Sequence, residues 1–207
     1  EAINRRHENT SYLAGIALLT GNRFAREEVD HHAELYLTGF THDSGSYNDS
    51  PGPARKVGRS SLAAIWMWQV TGRDDVRVRL EHRTDDVLEK LHSTHLNIKV
   101  VAPRGSYWVP WEEGMAATGL FAVYLNFGSQ SALEVITLTT AALAVNGFGK
   151  RNGNWRCGYE LPWRFSNGVD YVASQDPNFS KLAAGEGLTT WSIPAIFIAA
   201  EHHPIAD

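Results

Sequence analysis

Three stretches of this chain repeat one another, at residues 12–22, 62–73 and 119–129. Each is an apolar run that ends in a turn signature: Leu19-Thr20-Gly21-Asn22, Val70-Thr71-Gly72-Arg73 and Asn126-Phe127-Gly128-Ser129. The marker glycines Gly21, Gly72 and Gly128 lie 51 and 56 residues apart. A glycine suits the left-handed position that closes a helix, and Asn22 or Ser129 beside it can cap a following helix by accepting from its free amides. Each repeat therefore reads as a helical hairpin with a tight turn.

The two helices of a hairpin differ in pattern. Second helices carry one apolar stripe, as in Phe24, Val29, Ala33, Tyr36, Leu37 and Phe40, or Val76, Leu80, Val87 and Leu91, with charge on the other face. First helices are apolar nearly all round, the mark of a helix covered on both sides. The expected architecture is all-α, with first helices as an inner layer and second helices as an outer one. A fourth inner helix is expected at 188–201, with Pro194 either kinking it or marking its first turn. The long connections fall at the other end of the hairpins, at 41–53, 93–110 and 147–187. Within them, Ile98–Val101 and Tyr107–Val109 alternate enough to predict a short β-hairpin turning at Arg104-Gly105, while 147–150 reads as a loop. No linker or low-complexity tract divides residues 1–207, so a single domain is expected. A start at Glu1 without an initiator Met is what a processed product or a piece of a longer chain would show.

Alternating inner and outer helices at this period, together with Arg6-His7-Glu8-Asn9-Thr10-Ser11-Tyr12-Leu13 running into Leu19-Thr20-Gly21-Asn22, resemble the α/α toroid. That is the fold of many polysaccharide lyases, six-hairpin glycosidases and terpenoid cyclases, and bacterial relatives of the rhamnogalacturonan lyases are the nearest group. The resemblance implies a partial toroid, three and a half hairpins of about six, and a polysaccharide or oligosaccharide as partner.

Composition narrows the classes. With 19 Lys and Arg against 23 Asp and Glu, the formal charge is −4, and no basic cluster offers a nucleic-acid surface. No apolar run reaches the roughly 18 residues of a membrane span. A lone cysteine, Cys157, excludes an internal disulfide framework and a Cys-rich zinc site. His31-His32, His92 with His95, and His202-His203 do not have zinc-helix spacing, and 41–50 lacks the closing Glu of a calcium loop. No metal or cofactor is expected. Three glycosylation sequons, at Asn9, Asn48 and Asn178, point weakly toward an extracellular or cell-surface setting.

Candidate chemistry gathers where the long loops meet the starts of the inner helices. Partial positive charge at helix N-termini favours an anionic or hydroxyl-rich ligand. The catalytic candidates are His7, Glu8, His42, Glu112 and Glu113; the substrate-binding candidates are Arg6, Arg55, Tyr107, Trp108, Trp111, Arg151 and Trp155. Aromatic faces stack on sugar rings while Arg and Glu take carboxylates and hydroxyls. Trp108 and Trp111 equally fit a plug beneath the loops. Two reactions suit the set. In β-elimination at a uronate, Arg6, Arg55 or Arg151 neutralises the carboxylate while His7, His42 or Tyr107 removes a proton. In glycoside hydrolysis, Glu8 and one of Glu112 or Glu113 serve as acid and base. The rival reading is a non-catalytic scaffold module in a larger assembly such as a filament, virion or multidomain surface protein, completed by further copies of the chain or by a missing segment.

Overall fold

The computed structural model describes residues 10–38, 54–94, 96–190, 192–194, 197 and 201. The chain is mostly helical, with short antiparallel strand pairs. Three hairpins lead it: α1 (Thr10–Thr20) with α2 (Arg23–Thr38), α3 (Ala54–Thr71) with α4 (Asp74–Ser93), and α5 (Pro110–Phe127) with α6 (Gln130–Ala142). All three marker glycines close their first helix with positive φ, at 67°, 71° and 68°, and each amide bonds back to the carbonyl four residues earlier. Beyond two of them the cap is made by a side chain. Asn22 accepts from the Ala25 amide at 2.9 Å and Ser129 from the Ala132 amide at 3.2 Å.

First helices pack on first helices and second helices on second helices, α1 on α3 on α5 and α2 on α4 on α6, which makes two layers. The tightest seam is the crossing of α3 and α5. A Cβ on Gly58 would stand 2.2 Å from the Met115 carbonyl oxygen, and one on Gly119 would stand 2.3 Å from the Gly58 carbonyl oxygen. Backbones meet here with no side chain between them. Leu120 and Val123 then bury fully against α3 and α6, each contributing on the order of 2 kcal/mol relative to exposure.

The three first helices differ in cover. α5 is buried at every residue from 110 to 117, whereas among the described residues α1 packs on α2 and α3, with Tyr12 at 72% and Leu19 at 89% exposure. Among the described residues, the expectation of first helices covered on both sides holds for α5 and is not met by α1. Phe24, assigned to the apolar stripe of α2, is also 67% exposed, whereas Val29, Ala33 and Tyr36 of that stripe are buried.

At the short-turn end, Arg73 ties neighbouring second helices together. It forms a bidentate pair with Asp75, an ion pair with Glu34 and a longer contact with Asp30 at 3.6 Å, so α2 and α4 are bridged through one turn residue. Its hydrogen bonds to Asp75 and Glu34 push the guanidinium pKa above its ordinary value.

The predicted hairpin at 98–109 is replaced by different pairings. Arg104 and Tyr107 do form the turn, exchanging backbone bonds of 3.1 and 2.8 Å. Strand β1 (Tyr107–Trp108), however, pairs with β4 (Leu161–Pro162), joining two long connections rather than folding one back on itself. Ile98, Val100 and Val101 turn inward instead and join the core. The chain's hairpin is elsewhere: β2 (Phe148–Arg151) with β3 (Asn154–Cys157), in the stretch read from sequence as a loop. Short helices α7 (Phe179–Leu182) and α8 (Glu186–Thr189) follow. Of the fourth inner helix expected at 188–201, Leu188 and Thr189 close α8, Ser192 turns, and helical backbone resumes at Ile193 and Pro194. A proline in a first turn loses no helix bond, so Pro194 marks a start there and not a kink.

Two glycine substitutions separate seam from surface. Gly119→Ala is expected to destabilise the fold by about 3 kcal/mol, because backbone must move to admit the methyl group. Gly15→Ala, in a helix and with nothing within 4 Å of its Cβ, is expected to stabilise by about 0.5–1 kcal/mol. Urea denaturation midpoints measure both, and equal effects would refute the close crossing.

Candidate functional site

Four of the sequence candidates, Arg6, His7, Glu8 and His42, lie outside the described residues, as do the 41–50 loop, His95 and His202-His203. The remaining eight fall into two groups. Arg55, Tyr107, Trp108, Trp111, Glu112 and Glu113 surround the start of α5; Arg151 and Trp155 belong to the β2–β3 hairpin.

The start of α5 is set by Pro110, whose missing amide costs nothing in a first turn, and the next two acids favour the helix dipole. Their side chains diverge, as adjacent helical positions must. Glu113 turns into the core at 1% exposure, where its oxygens accept from the Val101 and Ala102 amides at 2.8 and 3.1 Å. It clamps the preceding connection to the helix. Burial raises its pKa to about 7 against the pull of those two amides. Glu112 points the other way, still almost wholly buried, into cations: Arg104 Nη2 at 2.7 Å and Arg55 Nε at 3.4 Å. Burial again raises its pKa, opposed by the charges of Arg104 and Arg55. Arg59, one turn along α3 from Arg55, has its own pKa lowered by burial and by Arg55, with Glu112 acting against both.

Aromatic rings complete the cluster. Trp111 stacks on Tyr159 at 6.2 Å, and the Arg55 guanidinium lies 5.8 Å from the centre of its ring. Arg104 sits at a similar distance over Tyr107. Such cation–π contacts are worth about 0.5–1 kcal/mol at partly exposed sites. Arg55 and Arg104 keep nearly a third of their side chains in solvent, and Tyr159 is half exposed, so the cluster opens outward above a covered carboxylate.

Trp108 plays a different part. It is fully buried, stacked on Trp163 at 6.3 Å, and its ring offers no open face. Trp163 in turn donates its indole N–H to the carbonyls of Arg104 and Gly105, fixing the turn that carries Arg104. Trp111 is nearly as covered, and neither its indole N–H nor that of Trp108 has a hydrogen-bond partner among the described residues. The sugar-stacking role assigned to Trp108 and Trp111 thus meets rings already packed by protein, and the exposed ring beside them is Tyr159.

Sequence reasoning passed over Arg104, taken only as a turn residue, and Arg59. Tyr159 and Glu160 lie in the longest connection, where no local pattern marks them. Glu160 adds a like charge that raises the Glu112 pKa further. Only tertiary pairing of β1 with β4 brings the 160 region to α5, and no local pattern announces it.

On the hairpin, Arg151 pairs with Asn154 and Trp155 with Lys150. Neighbouring pairs point to opposite faces, so Arg151 and Trp155 do not share a surface. Cys157 lies beneath, with its thiol pushed up to about 12 by burial, which the Ser192 hydroxyl bond only partly offsets, so it stays protonated and unreactive at neutral pH. Among the described residues no helix is long and apolar enough to cross a membrane. No group of three or more His, Cys, Asp or Glu among them is placed to hold a metal ion.

No protein-family profile matches this chain, and no curated protein or solved structure matches it.

The two acids at the start of α5 should answer differently to pH. Glu113 has a folded pKa above its unfolded value of about 4.5, so its stabilising contribution is complete below pH 4.5 and is lost as pH rises through about 7. Glu113→Gln is expected to cost about 1–3 kcal/mol at pH 5, by disturbing two buried amide bonds, and less at pH 8. Urea unfolding at the two pH values measures this; an equal cost at both counts against a carboxyl held near neutrality.

Proposed function

We propose that the hairpin stack is a toroid-like domain whose loop-bearing end engages an acidic polysaccharide. The observation supporting this reading is the convergence of Arg55, Arg59 and Arg104 around Glu112, beside the Trp111–Tyr159 stack. An acidic sugar presents a carboxylate, hydroxyls and an apolar ring face. Arginine forks suit the carboxylate, Tyr159 suits the ring, and the start of α5 adds a partial positive charge.

Between the two reactions, the cluster favours elimination. Hydrolysis needs two carboxyl groups facing one bond, and Glu113 is occupied by the Val101 and Ala102 amides. Elimination needs a cation at the uronate carboxylate and a base at the α-carbon. Arg55 and Arg104 supply the first, and Tyr107, under the Arg104 guanidinium, supplies the second. The proton that Tyr107 takes from the α-carbon is the one available to return to the leaving oxygen, while Glu112 holds Arg55 and Arg104 in place.

A second reading, the scaffold module of a larger assembly, draws on a separate observation. Helix α1 exposes Tyr12, Leu18 and Leu19, and α2 exposes Phe24, and apolar side chains left exposed on a repeat stack are a place for another element to pack.

With polygalacturonate, the wild-type protein is expected to bind and to generate unsaturated ends that absorb in the ultraviolet. Arg55→Gln should weaken binding about 10-fold, a loss of about 1.4 kcal/mol, while Tyr107→Phe should bind as before and release no absorbing product. Binding without absorbance in wild type removes the elimination step, and no binding to any acidic polysaccharide removes the proposal. An obligate oligomer in sedimentation would then favour the scaffold.

A further inference from the structure

We infer that the β2–β3 hairpin is a second contact for the same acidic polymer, a Trp–Lys platform that extends the proposed site outward along one face. This inference rests on the acidic-polysaccharide reading above.

The hairpin is firmly held at its base and bare at its tip. At the base, Gly149 lies so close to Phe179 and the Ala173 carbonyl that a Cβ would stand 2.5 and 2.7 Å from them. Arg156 forms an ion pair with Glu186, and the Gly158 amide bonds to the Gly147 carbonyl at 2.9 Å. At the tip, Asn152 and Gly153 take positive φ of 51° and 79°, a two-residue turn whose twist matches the strands. A rigid, projecting hairpin that leaves a Trp 55% exposed sets aside apolar area that the nearby core does not use.

Register fixes what stands next to that Trp. Trp155 pairs with Lys150, whose Nζ lies 5.5 Å from its ring centre. Two positions back along the strands, on the same face, the pair Phe148 and Cys157 packs against Val109, Trp111 and Met115. Strand rise places Lys150 and Trp155 about 7 Å further out from that pair. One hairpin face therefore runs from the Trp111 neighbourhood to an exposed aromatic with a cation beside it.

Charge identifies the occupant. Residues 147–158 contain Lys150, Arg151 and Arg156 and no acid, in a chain of net charge −4. Glu186 neutralises Arg156, which leaves Lys150 on the Trp155 face and Arg151 on the other. An anionic partner is the kind this charge favours. The tip residues Asn152, Gly153 and Asn154 are polar, so there is nothing apolar to enter a bilayer beside the single Trp, whereas one ring with hydrogen-bonding neighbours fits a sugar unit. The partner is thus a polymer carrying repeated carboxylates, held at two points, and two-point binding strengthens with chain length once the polymer spans both.

Isothermal titration of the full chain with galacturonate trimer and with a long oligogalacturonate tests this. The wild-type protein should bind the long oligomer at least 10-fold more tightly than the trimer. Trp155→Ala and Lys150→Ala should each remove most of that advantage and leave trimer affinity unchanged, while Trp155→Phe should restore it. Circular dichroism and the thermal midpoint should be unaltered, since both side chains are exposed. A length advantage that persists in Trp155→Ala overturns the hairpin contact and leaves the central site standing. Trimer binding lost from wild type, with long-oligomer binding still dependent on Trp155, overturns the central site and leaves the hairpin. Sedimentation with phosphatidylserine vesicles, without affinity for either saccharide, overturns the hairpin inference in favour of a membrane.

Discussion

The fold depends on one contact in which no side chain takes part. Where α3 crosses α5, Gly58 and Gly119 let two helix backbones touch, and a single methyl group on either would collide with a carbonyl. Arg55 and Glu112, at the loop-bearing end, inherit their positions from that crossing. Arg55 reaches Glu112 because it sits less than one turn before Gly58 on α3, and Glu112 sits two turns before Gly119 on α5. Close packing of this kind resists displacement, because interiors have few voids into which a shifted helix could move.

The charged residues above the crossing divide structural and chemical work between neighbours. Glu113 and Glu112 have nearly the same sequence context, yet one accepts from two backbone amides and the other faces arginines. A helix turns about 100° per residue, so adjacent acids cannot look the same way. The consequence is a buried clamp under a partly open cluster. The aromatic residues divide likewise: Trp108 fills the core, Trp163 secures the Arg104 turn, and Tyr159 remains at the surface.

Periodicity made the hairpins legible. Gly21, Gly72 and Gly128 announced three turns of one kind, because only a residue without Cβ takes the closing conformation at little cost. The stripe Val76, Leu80, Val87 and Leu91 correctly marked the buried face of α4, since helical spacing and burial are tied by geometry. Among the described residues the same logic is not met by α1, whose all-round apolar pattern implied a cover on both sides. Pattern records what a helix can bury and not whether a neighbour exists to bury it.

The strands show the complementary failure. Alternation at 98–101 looked like a hairpin arm, but two short arms have too little local energy to hold each other, and β1 finds its partner more than fifty residues away at Leu161. At 148–157 the Asn-Gly dipeptide was present and its tight-turn preference went unused, because the flanking residues lack apolar alternation. By itself, then, the sequence determined the helical hairpins, their turns and the crowding of polar and aromatic residues at one end, all of which follow from spacing along the chain. Tertiary structure alone decided which of those residues meet. Arg104 and Glu160 reach Glu112, Tyr159 meets Trp111, Trp108 vanishes into the core, and Arg151 parts from Trp155, because contacts between distant segments depend on the β1–β4 pairing and the α3–α5 crossing, and neither is encoded in any single window of residues.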